Sequence, residues 1–249
     1  IYQCDWSSDV CSSDLTAATA QQRVIKDQVF FFKQKTAYEL KDAGARAGAM
    51  EAFARTYPES AVRRDALEQA LAGFQSVGNR EKVATVSAEL LKVDPDNLRA
   101  LAFQVYLLRS RATSDDAEAM AELRPAVARG MTLLAAWRKP EGLSEADGAR
   151  LKTQVATILN GAAGFVALQD KEPLRARPRY LEAVAADPND LQNVYQLALT
   201  YLEAERVEPD GFWFAARAIA LAGTSASPAV QDQIRKYAAA KYRMFHGSE

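Results

Sequence analysis

From residue 41 onward, apolar residues recur every three or four positions, and short breaker stretches cut the chain into segments of helical length. The pattern predicts helices over 41–55, ended by Tyr57-Pro58, over 60–77, ended by Gly78-Asn79, and over 80–92, ended by Asp94-Pro95. Two more are predicted over 97–111 and 115–136, with Pro125 expected as a kink or boundary of the second. Lys139-Pro140-Glu141-Gly142 reads as a loop, and Ser144 with Asp147 as a capping box that opens a long helix to Leu168. Helices over 173–186, 190–204, 211–222 and 228–244 follow, with Pro173 and Pro228 at tolerated first-turn positions and Pro178 expected to distort its helix. No alternating β-branched run with hairpin turn signals is present. The expected class is all-α, and the short connections make sequential helices antiparallel neighbours.

A recurrent mark ends two of these helices: Val93-Asp94-Pro95-Asp96-Asn97 and Ala186-Asp187-Pro188-Asn189-Asp190, with Tyr57-Pro58-Glu59-Ser60 as a looser third version. On these marks the chain resembles the tetratricopeptide repeat (TPR), a helix–turn–helix unit of about 34 residues that ends in proline. With Pro188 at the last signature position, Gly164, Ala176, Tyr180 and Ala183 stand where that family has its Gly, Ala, aromatic and Ala, while Asn160 and Ala163 depart from its Trp-like and Leu-like positions. With Pro95 there, Leu67, Ala70, Phe74 and Val83 are in register, and Leu71 replaces the Gly. A third unit begins at Leu191, with Val194, Leu197 and Tyr201, and resumes after a short insertion at Ala215, Ile219 and Ala222. The resemblance covers residues 41–110 and 155–222; the section 113–154 loses the spacing and reads as irregular helical pairs. A final helix carrying Ile234, Tyr237, Ala238, Tyr242 and Phe245 is expected to cap the stack. The resemblance implies one domain over 41–249, an α-solenoid of antiparallel helical hairpins with right-handed superhelical twist. Such units bury little alone and share a core with their neighbours. A narrower resemblance, through Pro209-Asp210-Gly211-Phe212-Trp213, is to exported bacterial TPR proteins, which implies a periplasmic or otherwise exported location.

Residues 1–40 stand apart. CDWSSDVCSSDL at 4–15 resembles an in-frame translation of a sequencing-library adapter, and FFKQKTAYE at 31–39 resembles its neighbouring arm. The expectation is an artefactual segment that contributes nothing to stability, with the native start and any signal peptide overwritten. Both cysteines, Cys4 and Cys11, lie inside it, so thiol catalysis and cysteine-ligated zinc drop out for the remainder. The single histidine, His246, cannot build a His cluster or a Ser–His–Asp arrangement within one chain. Four of the 31 Lys and Arg and five of the 32 Asp and Glu fall in residues 1–39, which leaves 27 of each sign beyond. That balance carries no electrostatic footprint for nucleic acid, and no apolar run reaches the roughly 18 residues of a membrane span.

Candidate chemistry is therefore recognition rather than catalysis, with no cofactor and no metal expected. The resemblance places the groove on the first helix of each pair, which assigns Arg99, Phe103, Tyr106 and Arg109 in one unit and Gln192, Tyr195, Gln196 and Glu203 in another. Tyr, Gln and Arg suit an extended peptide held by polar contacts and apolar anchors; the alternative is that the two tyrosines pack between repeats while the polar residues are solvated. Asp210-Gly211-Phe212-Trp213-Phe214 reads either as a binding lip or as a cap with aromatics sealing the stack. Asn160-Gly161-Ala162-Ala163-Gly164 lacks the preceding strand and following Lys-Ser/Thr of a phosphate loop, so its glycines are expected at a close helix contact. Asp115 and Asp116 read as compensation of a helix dipole, and Trp137 as a packed helix end. The expected function is a non-catalytic scaffold that binds a protein or peptide on a concave face. The alternatives are a part that self-associates through the ends of the solenoid, and an accessory domain of an enzyme.

Overall fold

The computed structural model describes residues 40–112, 116–139 and 142–247. The adapter-like segments, Asp115 and part of the Lys139–Gly142 loop lie outside the described residues. All regular structure among the described residues is helical, and by their contacts these residues form two compact units divided between Pro95 and Asp96.

The first unit holds α1 (Ala43–Thr56), α2 (Arg63–Ser76) and α3 (Arg80–Val93), with α1 packed on α2 and α2 on α3. Asp42 caps α1 by accepting from the Ala45 N–H at 2.6 Å, and Asn79 caps α3 by accepting from Lys82 at 3.1 Å. Each cap satisfies one of the backbone donors that a helix start leaves orphaned. The signature positions Leu67, Ala70, Phe74 and Val83 are all buried, together with Met50, Phe53, Leu71 and Leu90. The close approach falls at Gly73, where a Cβ would lie 2.8 Å from that of Ala47. Gly78, at φ +71°, adopts the left-handed turn between α2 and α3 that costs glycine least. Across the unit, Lys82 Nζ donates to both oxygens of Glu51 at 2.9 Å.

The second unit stacks three hairpins and a closing helix. They are α4 (Leu98–Arg111) with α5 (Ala117–Ala135), α6 (Glu145–Gln169) with α7 (Pro173–Ala186), and α8 (Leu191–Leu202) with α9 (Asp210–Ser225), while α10 (Pro228–His246) packs on α9. The two Asp-Pro marks do the same local work. Asp94 N–H donates to Leu90 at the end of α3 and Asp187 N–H to Ala183 at the end of α7. Two residues past each proline, Asn97 and Asp190 cap α4 and α8 by accepting from Ala100 and Asn193. A proline that stops one helix and a cap that starts the next are thus one motif read twice.

The 25-residue α6 is the longest element and touches α4, α5 and α7. Its middle joins Val105, Leu123, Val127, Val155 and Leu159 in one core, and its last turns meet a second core of Ala176, Tyr180, Leu197 and Tyr201. At its start the Ser144 hydroxyl accepts from the Asp147 N–H at 3.1 Å and donates to the Asp147 carboxylate at 2.7 Å. Of the two alternatives at Pro125, a helix boundary is excluded, and neither that proline nor Pro178 ends its helix. Both prolines are exposed, so the side of each helix that lacks a hydrogen bond faces water. Asp210 does not cap α9 but is its first residue, after Pro209. No helix among the described residues is long and apolar enough to cross a membrane.

Candidate functional site

Spacings of four, three and three residues put Arg99, Phe103, Tyr106 and Arg109 on one face of α4. Tyr106 is 46% exposed there, and the other three are half-buried. On α8, Gln192 is exposed, Tyr195 and Gln196 are half-buried, and Glu203 stands exposed just past the helix end. The two sets meet through Arg109, whose Nη1 donates to Asn193 Oδ1 at 3.3 Å. Between them runs α6 at Gly161, where a Cβ would lie 2.7 Å from Arg109 Nη1 and collide with the Asn193 amide. The Phe165 ring, one turn along α6, lies 5.8 Å from the guanidinium.

The remaining α8 candidates are held from the other side. The Tyr195 ring meets Tyr237 of α10 edge-on at 6.3 Å, and the Tyr237 hydroxyl donates to Glu203. Lys241 adds an ion pair to Glu203 at 3.4 Å. Burial first, and the Glu203 carboxylate second, raise both tyrosine hydroxyls above the ordinary tyrosine value. The donated hydrogen bond from Tyr237, then Lys241, hold Glu203 below the usual carboxylate range. A lowered carboxylate contributes stability that is present above its unfolded value, near pH 4.3, and is lost as pH falls through the folded value. Glu203→Gln is therefore expected to flatten the loss of stability on acidification below about pH 4.3, by a few tenths of a kcal/mol because the group is largely exposed. Urea melts at pH 7 and in mild acid check this; an unchanged pH slope in the variant contradicts it.

Several residues that matter here were not singled out as a site from the sequence. Asn193 is 1% and Asn160 3% exposed, and Tyr180 is fully buried against Gly164. The Asn160 Oδ1, the Tyr180 hydroxyl and the Nε and Nη2 of Arg109 have no hydrogen-bond partner among the described residues. Asn160 occupies a position where the repeat pattern expects a large apolar side chain, and that substitution was the available signal.

The other candidates resolve locally. Gly161 and Gly164 lie inside α6 at helix contacts, as expected. The aromatic run divides: Phe214 stacks on Tyr201 at 5.7 Å, Phe212 meets Tyr242 and Phe245 at 5.4 Å each, and Trp213 is 59% exposed with Arg217 at 5.7 Å from its ring. Arg177 fastens the short insertion before α9 by donating to both oxygens of Glu208 and to the Thr200 carbonyl while lying 4.1 Å from the Tyr201 ring. Asp116 caps α5 by accepting from the Ala119 N–H, and Trp137 sits half-buried past the end of α5 with Lys152 at 5.6 Å from its ring. No group of three or more His, Cys, Asp or Glu among the described residues is placed to hold a metal ion.

No protein-family model matches the chain, and no curated protein sequence does. Among solved structures, a thermophilic TPR protein of Thermus thermophilus is similar at 17% identity, with 87% of this chain and 98% of that chain covered and a TM-score of 0.39.

Proposed function

We propose that the chain is a non-catalytic helical-repeat scaffold whose ligand is a protein or an extended peptide, bound along the face of α4 that carries Arg99, Phe103, Tyr106 and Arg109. The observation that supports this most is Tyr106. A large aromatic ring is 46% exposed on a helix that the fully buried Val105 and Ala100 fix in the core, which presents an amphipathic side chain of the type that anchors protein interfaces. Arginine and tyrosine together on one rigid face are the residue types that concentrate binding energy at protein interfaces. On α8, Gln192 and Gln196 extend the surface, whereas Tyr195 and Glu203 are engaged by α10, so they serve as its support.

Binding of the full-length chain to a displayed random peptide library, followed by affinity measurement on a selected peptide, tests the reading. Tyr106→Ala is expected to weaken that peptide at least tenfold, the loss of about 1.4 kcal/mol typical of a working anchor, with an unchanged melting temperature. Retention of full affinity by both Tyr106→Ala and Phe103→Ala would remove the α4 face from consideration. A second reading, self-association through the final helix, draws on Tyr242, Met244 and Phe245, which are 52%, 74% and 44% exposed on α10. Sedimentation velocity separates the two: a dimer that Met244→Glu dissolves supports self-association. A location in an exported compartment belongs with the same family resemblance and is tested by locating the protein in fractionated cells.

A further inference from the structure

Helix α7 carries apolar residues on two opposite sides. Its inner side is Ala176, Tyr180 and Ala183, all fully buried. The other side carries Leu174, Pro178, Leu181 and Ala185, spaced four, three and four residues apart, and all four are exposed. Residues at that spacing fall in one line along a helix. Leu174 is 79% exposed, the highest value of any large hydrophobic residue among those described. Single apolar residues on a surface are ordinary, whereas a continuous line of them along one helix has the form of a helix-pairing seam. Trp213 of α9 extends the strip. Its exposed ring lies 5.7 Å from the Arg217 guanidinium, which donates to the Pro188 carbonyl just past the end of α7.

The charges beside the line select its occupant. Arg175 and Glu182 each follow a leucine by one residue, so they flank the line on the same side. Turned over by a two-fold axis across the middle of α7, the line falls on itself, with Leu174 opposite Ala185 of a second copy and Pro178 opposite its Leu181. Each leucine then meets a smaller side chain. The same rotation sets Arg175 of each copy beside Glu182 of the other, twice by symmetry. A parallel alignment would place Arg175 on Arg175 and Glu182 on Glu182. The Arg175 side chain is well exposed and pairs only with Glu172 of its own first turn at 2.8 Å, a surface contact weak enough to be shared.

We propose that α7 is a self-association surface, on which two copies of the chain pair antiparallel along Leu174, Pro178, Leu181 and Ala185. Arg175–Glu182 pairs close one edge, and the Trp213 ring of each copy stands near Leu174 of the other. The surface uses neither the α4 face nor α10, so it stands independently of the peptide-binding reading. One helix against one helix buries less than the roughly 1,200 Å² of stable complexes, so the dimer is weak and reversible.

Sedimentation equilibrium of the full-length chain, from about 1 µM to about 1 mM, tests this. The expected result is a monomer–dimer equilibrium that Leu174→Glu and Leu181→Glu each weaken at least tenfold, with unchanged helical circular dichroism. Arg175→Glu alone and Glu182→Arg alone, which set like charges across the seam, are expected to weaken the dimer as well. An equimolar mixture of those two variants is expected to recover it, as is the variant that carries both exchanges. A chain that stays monomeric throughout, or a dimer indifferent to Leu174→Glu, overturns the proposal. A dimer that Met244→Glu dissolves and Leu174→Glu does not assigns self-association to α10 and overturns it equally. A mixture of the two charge variants that stays monomeric rules out the antiparallel pairing.

Discussion

Tyr180→Ala is expected to destabilise the second unit by about 3–5 kcal/mol, the range for truncating a fully buried aromatic side chain. Tyr180 is the largest of the fully buried side chains and joins Ala176 on its own helix to Leu197 and Tyr201 on α8. It also fills the space that Gly164 leaves on α6, where a Cβ would lie 2.7–2.9 Å from three ring atoms. With no side chain at 164 to relax inward, the cavity left by alanine stays open, which places the cost toward the upper end. Urea unfolding measures it, and a loss below about 1 kcal/mol would show that the ring is not a keystone between α6 and α8. The hydroxyl behaves oppositely. Burial pushes its pKa up to about 12, and the oxygen has no hydrogen-bond partner among the described residues. Tyr180→Phe is therefore expected to be neutral or to stabilise by up to about 1 kcal/mol, because it removes a desolvated polar group that returns nothing. A clear loss in Tyr180→Phe, with an intact ring, would show that the hydroxyl is hydrogen-bonded in solution.

The second large effect is expected at Leu159, fully buried in α6 among Val105, Leu123, Val127 and Val155. Leu159→Ala is expected to cost about 3–4 kcal/mol, since its methyl groups lie against Gly130 of α5, where a Cβ would stand 2.6 Å from Leu159 Cδ2. The glycine leaves nothing able to move into the cavity. The same geometry sets the sign of a double variant. Gly130→Ala alone has its gain in helix propensity, about 1 kcal/mol, opposed by the clash with Leu159, whereas in the Leu159→Ala background the new methyl fills the void. The cycle should show favourable coupling of about 1 kcal/mol or more. Additive behaviour in thermal or chemical melts would indicate that α5 and α6 separate easily at this contact.

How much of this was legible beforehand follows from where each signal lives. Helix α7 spans the predicted residues, 173–186, because both ends are written locally: Pro173 suits a first turn, and Asp187-Pro188 cannot continue the helix. Helix α9 reaches Ser225 rather than stopping at 222, because Ala222 is fully buried against Val194, Ala218 and Ile234 and the packing carries the helix through Gly223. The prolines at 125 and 178 carry a local signal for distortion, yet their exposure lets both helices continue. On the candidate surface, the repeat resemblance assigned four residues to each of two first helices, and Glu203 falls just past the end of its own. The resemblance did not reveal that Tyr237, 34 residues beyond Glu203, would claim Tyr195 and Glu203 as packing partners.

The sequence by itself determined that the described residues are helical, those segment ends that are marked by prolines and caps, the shared Asp-Pro turn-and-cap, and the apolar positions that fill each core. These depend on backbone propensity, capping and periodicity within a few turns. The tertiary structure alone decided which polar groups would be buried together. Arg109, Asn193, Tyr180 and Gly161 come from four different helices, and nothing in the local pattern of any one of them encodes the others. Their meeting depends on how closely α4, α6, α7 and α8 approach, which is set by long-range packing and the glycines that permit it. A buried charge acquires its meaning only from the groups that surround it in space.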